Sequence, residues 1–278
     1  MRDLRTERKG KILSVDNLPT LPPVLDEVTK MIEDENTSPK QIADVISKDQ
    51  VLSAKVLKMV NSPVYGFPGR ITTIHHALVL LGINVIRGII ISTAVFDVIT
   101  SSMVGLWEHS LCTSTISKII AEQINLKDPE EYAIAGLLHD LGKVIIAIQL
   151  PEEKKEIEEV QKKEDISYLE AEKKILGFGH DRVNAWLCDH WKLPLPTKEA
   201  LAYHHNPSLA KFYPDFANVV HVADCISKVL EVGFSGDEIV PLLQKKSFLS
   251  LGLTFKKLAK IMDQVLENII EVLTFIPK

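Results

Sequence analysis

At 278 residues the chain is long enough for one large or two medium domains, and 46% hydrophobic with 25% charged residues is ordinary globular material with enough apolar content for a sizeable core. A net charge of −5, 32 basic residues against 37 acidic, without a one-signed positive stripe, weighs against a nucleic-acid-binding protein. Three widely spaced cysteines, Cys112, Cys188 and Cys225, form no CxxC pair, so a disulfide framework is not expected and a reducing, cytoplasmic setting is.

The first residues, MRDLRTERKGKILS, are charged and lack the apolar core of a signal peptide. LPTLPPVLDEV, residues 18–28, carries three prolines that favour an extended lead-in to a helix ending near Asp34. Ser38-Pro39-Lys40-Gln41 is a helix start, with Ser at the N-cap, Pro at the first helical position and Gln reaching back from the third. Ile42, Val45 and Ile46 follow at helical spacing, and Leu52, Val56, Leu57 and Val60 mark another amphipathic helix. NSPVYGFPGR, residues 61–70, is a Pro/Gly-rich loop. Residues 77–99 are apolar enough to span a membrane, but Arg87 near the middle would cost roughly 3 kcal/mol in lipid. Two buried helices joined at Leu81-Gly82 are the better expectation, so no membrane partner is predicted.

A second block opens near Met103, with helices predicted at 104–125, 130–149, 151–163, 166–176, 180–191, 197–205 and 215–232. PEEKKEIEEVQKKED reads as a solvated helix with Ile157 and Val160 as a sparse apolar seam. The joint VGFSGD leads to a final amphipathic helix bearing Phe255, Leu258, Ile261, Met262, Val265, Leu266 and Ile269. That helix either caps one of the blocks or pairs with a second copy, so a homodimer is one expectation. No run alternates apolar and polar residues long enough to suggest a sheet, and the fold class expected is all-α.

GLLHDLGKVI, residues 136–145, poses the chemical question. Placed on one helix from 133 to 148, the apolar residues Ile134, Leu137, Leu138, Leu141, Val144, Ile145 and Ile148 form a stripe. His139, Asp140 and Lys143 fall on the opposite side, beside Ala135, Gly136 and Ala147. That side is either plain solvated surface or, since its neighbours are small, a face with room for something to approach. Seven of the nine histidines lie in the second block: His109, His139, His180, His190, His204, His205 and His221. A lone buried histidine usually satisfies itself with two hydrogen bonds. Several imidazoles with Asp140 and Asp224 on successive helices, however, are the distribution of a bundle-core metal site. Mixed nitrogen and oxygen donors suit iron, manganese or zinc better than a purely oxygen-loving ion. Neighbours on an ideal helix point about 100° apart, so His139 and Asp140 suit a two-metal centre, with Asp140 bridging, better than chelation of one ion.

The order His…His-Asp…His…His-His…Asp resembles the HD superfamily of metal-dependent phosphohydrolases. The fuller resemblance, over roughly residues 12–232, is to the HDOD family, the HD-related output domains of bacterial signalling. It rests on LPTLPPVLDEV, ISKDQVLSAKVLKMVNSPVYG, ITTIHHALVLLGINVIRGI, AGLLHDLGKVI, WKLP and HHNP. The resemblance implies two packed helical sub-bundles, residues 12–100 and an HD-like part at 103–232, with 233–278 as a C-terminal helical extension. It implies a bacterial regulatory role with signalling protein partners, and one or two divalent ions, iron or manganese ahead of zinc or magnesium. The ligands it implies are His109, His139, Asp140, His180, His204, His205 and Asp224. Asp140 and Lys143 would be the catalytic pair, Lys143 facing the phosphate of a small ligand. If active, such a protein would be a metal-dependent phosphohydrolase or a cyclic-nucleotide phosphodiesterase. The Gly-Tyr-Pro signature that follows the double histidine in related cyclic-dinucleotide phosphodiesterases is replaced here by NPSLAKFYPDF, which counts against cyclic di-GMP hydrolysis and leaves other phosphate substrates open. The N-terminal part carries no catalytic constellation; His75, His76, Asp49 and Asn61 read as packing and capping residues.

Overall fold

The structure, a computed structural model, describes residues 2–14, 24–34 and 36–274, and among these it contains helices and loops and no strand. The three-proline lead-in lies outside the described residues. Helix α1 (Arg2–Leu13) packs on the second block: Arg8 donates to the Ile175 carbonyl at 2.8 Å and pairs with Glu153, and Ile12 is fully buried.

Helices α2 (Val24–Glu33), α3 (Pro39–Ser47) and α4 (Gln50–Val60) form the first layer. Local signals set their ends. Ser38 and Gln41 form the reciprocal capping box, and the Asp49 carboxylate accepts from Leu52 N–H at the start of α4. Asn61 ends α4 and ties the following loop down, donating to the Leu57 and Ile71 carbonyls and accepting from Ile71 N–H at 2.8 Å. His75 and His76 are exposed.

Helix α5 (Ile74–Ser102) runs behind this layer and breaks at Gly82, whose φ of 75° is a left-handed conformation that glycine adopts without strain. The stretch Ile74–Val95 is long and apolar enough to cross a membrane, with mean hydropathy 2.1, yet 67% of it is buried inside the protein. Arg87 explains itself there: it is 2% exposed, and its guanidinium donates to the Trp191 and Lys192 carbonyls.

Helix α6 (Leu106–Gln123) is the axis of the second block, buried on nearly all sides and packed against α7 (Pro129–Leu138), α13 (Pro214–Val229) and α15 (Phe255–Thr274). The predicted helix 130–149 is in fact two, α7 and α8 (Leu141–Gln149), broken at His139-Asp140. The charged run becomes α9 (Pro151–Glu164), with Ile157 fully buried. Helices α10 (Tyr168–Leu176), α11 (His180–His190) and α12 (Leu195–Tyr203) complete the bundle, and a short unpredicted α14 (Lys245–Ser250) precedes α15. The last helix caps the second block: Ile261, Val265, Ile269 and Val272 are buried against it, and Gln264 accepts from Gln123 on α6 at 2.8 Å. Phe255, Leu266 and Ile270 remain exposed.

Candidate metal centre

The break between α7 and α8 is where sequence becomes site. His139 ends α7, and Asp140, at φ −102° and ψ 11°, leaves the helical path before α8 begins. One buried amide on α11 holds this geometry. Asn184 accepts from Gly142 N–H at 2.7 Å and donates to the carbonyls of His139 at 2.5 Å and Leu201 at 3.1 Å. Gly142 is required because a Cβ there would lie 2.4 Å from the His180 carbonyl oxygen, and one at Gly136 would lie 2.8 Å from the Thr113 carbonyl oxygen. The small residues beside His139 therefore admit neighbouring helices, not a ligand. The solvated-face reading fails as well, since His139, Asp140 and Lys143 are at most 2% exposed.

The fold brings all seven predicted donors together in two groups, Asp140 with His180, His204 and His205, and His139 with His109 and Asp224. Asp140 spans them. Its Oδ1 lies 3.2 Å from His180 Nε2, and its Oδ2 lies 3.4 Å from His139 Nε2 and 3.9 Å from His109 Nε2. Asp224 Oδ1 is 3.1 Å from His109 Nε2 and 3.8 Å from His139 Nε2.

The outer nitrogens of four rings are anchored. His139 Nδ1 meets the Gly136 carbonyl at 2.7 Å, and His204 Nδ1 meets the Leu201 carbonyl at 3.0 Å. His180 Nδ1 meets Glu172 Oε2 at 2.6 Å, and His109 Nδ1 meets Ser227 Oγ at 3.2 Å. A ring that donates through Nδ1 turns the Nε2 lone pair inward, the arrangement that orients a metal-binding histidine. The inward nitrogens then face one another, His109 with His139 at 3.2 Å and His180 with His205 at 2.8 Å. Asp140 Oδ1, Asp224 Oδ1 and His204 Nε2 are buried and complete no hydrogen bond. Buried acceptors left without a donor are unfavourable, and these three atoms are what a bound cation would satisfy. The donor set fits a divalent metal.

Electrostatics agree. Burial alone would raise the Asp140 carboxyl, but Lys143, His139 and His180 hold it well below the usual range. Asp224 is likewise held down by His109 and His139 against the effect of burial. Burial and neighbouring imidazoles push His204 and His205 well down. Ionised carboxylates and neutral imidazoles are the ligating forms. Lys143 stays charged because Asp140, 2.7 Å away, outweighs burial; its ammonium also donates to the Ser235 carbonyl at 2.8 Å.

Two contributors escape a reading of the sequence for ligands. Glu172 is fully buried and receives both the ring and the backbone N–H of His180; its register with Tyr168, Ala171 and Leu176 on the buried face of α10 is the signal that marks it. Asn184 shares the inner face of α11 with His180 and Val183. His221 stays out of the cluster: its Nδ1 donates to the His204 carbonyl and its Nε2 accepts from Gln244 N–H.

Known proteins resemble this chain in sequence and in fold. The family model described as HDOD domain matches residues 18–207. A protein of Treponema pallidum, named only as uncharacterised, is 27% identical over 225 residues, covering 78% of this chain and 43% of its own length, so the chain spans less than half of that relative. Among solved structures, an HDOD domain protein of unknown function from Geobacter sulfurreducens superposes with a TM-score of 0.75 at 26% identity, over 100% of this chain and 99% of that one. An inferred phosphohydrolase from Shewanella amazonensis superposes with a TM-score of 0.65 at 25% identity, covering 94% and 98%.

Proposed function

The chain belongs to the HDOD family, and from that premise we propose that it is a regulatory protein of bacterial signalling whose second helical block holds a divalent-metal centre. The observation that carries this reading is the convergence of seven donors from separate helices into two groups joined by Asp140. His180, His204 and His205 would hold one ion, His109, His139 and Asp224 the other, and Asp140 would serve both; iron or manganese suits this nitrogen-rich set. In this reading residues 12–232 are the HDOD unit and 233–278 an extension packed back on α6. The partners proposed are signalling proteins of the cytoplasm, with neither nucleic acid nor membrane among them, and the exposed face of α15 is the surface on which a homodimer would form.

A second reading, a working phosphohydrolase or phosphodiesterase, is favoured by the full donor set together with the charged Lys143 at its edge. A bound metal would lower the pKa of a coordinated water toward about 7 and polarise phosphoryl oxygens. The chain's own part is to hold Asp140 ionised, to keep His204 and His205 neutral, to orient the imidazoles through Glu172, Ser227 and two carbonyls, and to offer the Lys143 ammonium to a phosphate. The regulatory reading stands first because Lys143 is engaged by Asp140 and Ser235 and every donor except His205 is buried.

Metal analysis by mass spectrometry, on anaerobically purified wild type beside His139→Ala and Asp140→Ala, tests the centre. One or two equivalents in the wild type, lost in both variants, is the expected result. A wild type that holds no ion and takes up no added manganese or iron refutes it. Phosphodiester turnover abolished by Asp140→Ala would move the second reading ahead of the first.

A further inference from the structure

We propose that residues 231–244, the irregular segment between α13 and α14, are a strap that closes the metal centre in the resting protein and must swing away before a phosphate-bearing ligand reaches Lys143. The consequence for a phosphate ligand rests on the metal-centre reading above; the closure itself rests on geometry alone.

Every residue named for the centre except His205 is at most 2% exposed, Lys143 included. The strap touches the centre at His109 and at Lys143. Phe234 N–H donates to the Gly105 carbonyl at 2.9 Å, laying the strap across the first turn of α6. It lies so close that a Cβ at Gly233 would stand 2.4 Å from His109 N. Ser235 then takes Lys143 with its carbonyl, the contact that a phosphate oxygen would have to replace. Asp237 is the latch: it accepts from Tyr168 N–H at 2.6 Å and from Lys228 at 3.1 Å. At the far end Gln244 N–H donates to His221 Nε2 at 3.1 Å.

What holds this segment is polar, and what it leaves outside is apolar. Ser235 and Asp237 are its buried residues, whereas Phe234, Val240, Leu242 and Leu243 are 43–93% exposed. Burial of apolar surface, the main force that fixes a loop, is therefore small here, which places the strap among the segments that open at low free energy. Left-handed backbone at Glu231, Gly233 and Gly236 supplies the bends. Between the strap and the end of α13 lies a half-open cavity of about 590 Å³ with His109 in its wall, large enough for a small ligand. Its other charged groups give an anion nothing: Lys228 is paired with Asp237, and Glu231 and Glu238 are acidic. An anionic ester must reach Lys143 by displacing Ser235.

The test is carbethoxylation of His109 by diethylpyrocarbonate in the metal-free protein, followed by peptide mass spectrometry, with the exposed His75 and His76 as internal reference. Asp237→Ala removes the latch, and Gly236→Ala, whose Cβ would meet the Tyr168 ring at 3.0 Å from a φ of +110°, lifts the strap by a milder route. Both should raise the rate at His109 at least tenfold relative to His75 and His76, with helical circular dichroism unchanged. An unchanged rate in a folded variant overturns the strap. Amide exchange on the wild type needs no variant: amides 232–240 should exchange at least 100-fold faster than those in the middle of α13, and equal protection overturns the proposal. Manganese binding, measured separately, tells the two readings apart, since a protein that binds no metal yet shows these changes keeps the strap and loses the metal centre.

Discussion

Replacing Asn184 with alanine would show how much of the site depends on one buried amide. The side chain is fully buried and makes three hydrogen bonds to main-chain groups of α7, α8 and α12 at 2.5–3.1 Å. Truncation strands the Gly142 N–H and the His139 carbonyl, while the Leu201 carbonyl keeps His204 Nδ1, at about 1–3 kcal/mol for each buried group left without a partner. The simple sum is roughly 2–6 kcal/mol, and a water entering the vacated space would recover part of it. A loss of about 3–4 kcal/mol is expected, a large fraction of the roughly 5–15 kcal/mol that holds a typical domain. Urea unfolding of the metal-free protein measures it without a contribution from bound ion, and the midpoint should fall with little change in slope. Asn184→Asp keeps the acceptor for Gly142 but turns a carboxylate toward two carbonyl oxygens, so it should cost at least as much as the alanine variant. A loss below about 1 kcal/mol in Asn184→Ala would refute the claim that this amide holds the break between α7 and α8.

Gly136→Ala should cost about 1–3 kcal/mol by driving α6 and α7 apart, since the new Cβ meets Ser117 Oγ at 2.7 Å and the Thr113 carbonyl at 2.8 Å; a neutral substitution in thermal unfolding would contradict that packing. In the metal-free protein burial pulls the His180 imidazole down, but Glu172 more than offsets this and its pKa is pushed up to about 9. A raised folded pKa stabilises below the unfolded value near 6.5, and that contribution is lost as pH rises through about 9. The Tm of chelator-treated wild type should therefore fall between pH 6.5 and 9 more steeply than that of Glu172→Gln, and parallel profiles would count against the pair. Because a proton shares the inward nitrogens until a metal replaces it, manganese uptake at pH 7 should release protons, measurable in weakly buffered solution, and affinity should rise with pH. Burial pushes the Cys112 thiol up to about 11; native alkylation by iodoacetamide at pH 8 should be at least 100-fold slower than in urea, and rapid native labelling would show that α6 is not sealed.

Local rules made much of this molecule legible. The capping box at Ser38, the cap at Asp49, the break at Gly82 and the apolar registers are nearest-neighbour chemistry, and they stand in the structure where the sequence places them. The residue types of the candidate ligands and their order along the chain were legible for the same reason: titratable side chains in a helical, apolar setting are conspicuous. Helical periodicity, however, says which face is apolar and nothing about what meets the polar one. It put His139, Asp140 and Lys143 on a continuous helix with an open side, because only Asn184, over 40 residues downstream, takes up the hydrogen-bonding groups at the break. It passed over Glu172, whose partner is a histidine ring on the next helix, and it read the Gly/Ser joint as a plain link, although Ser235 and Asp237 bind Lys143 and Tyr168 across the fold. The sequence by itself determined the helical class, most of the helices and which donors are present. The tertiary structure alone decided that the polar face is interior, that Asp140 stands between two groups of imidazoles, and that a strap lies over them, because a buried polar group finds its partners in space and not along the chain.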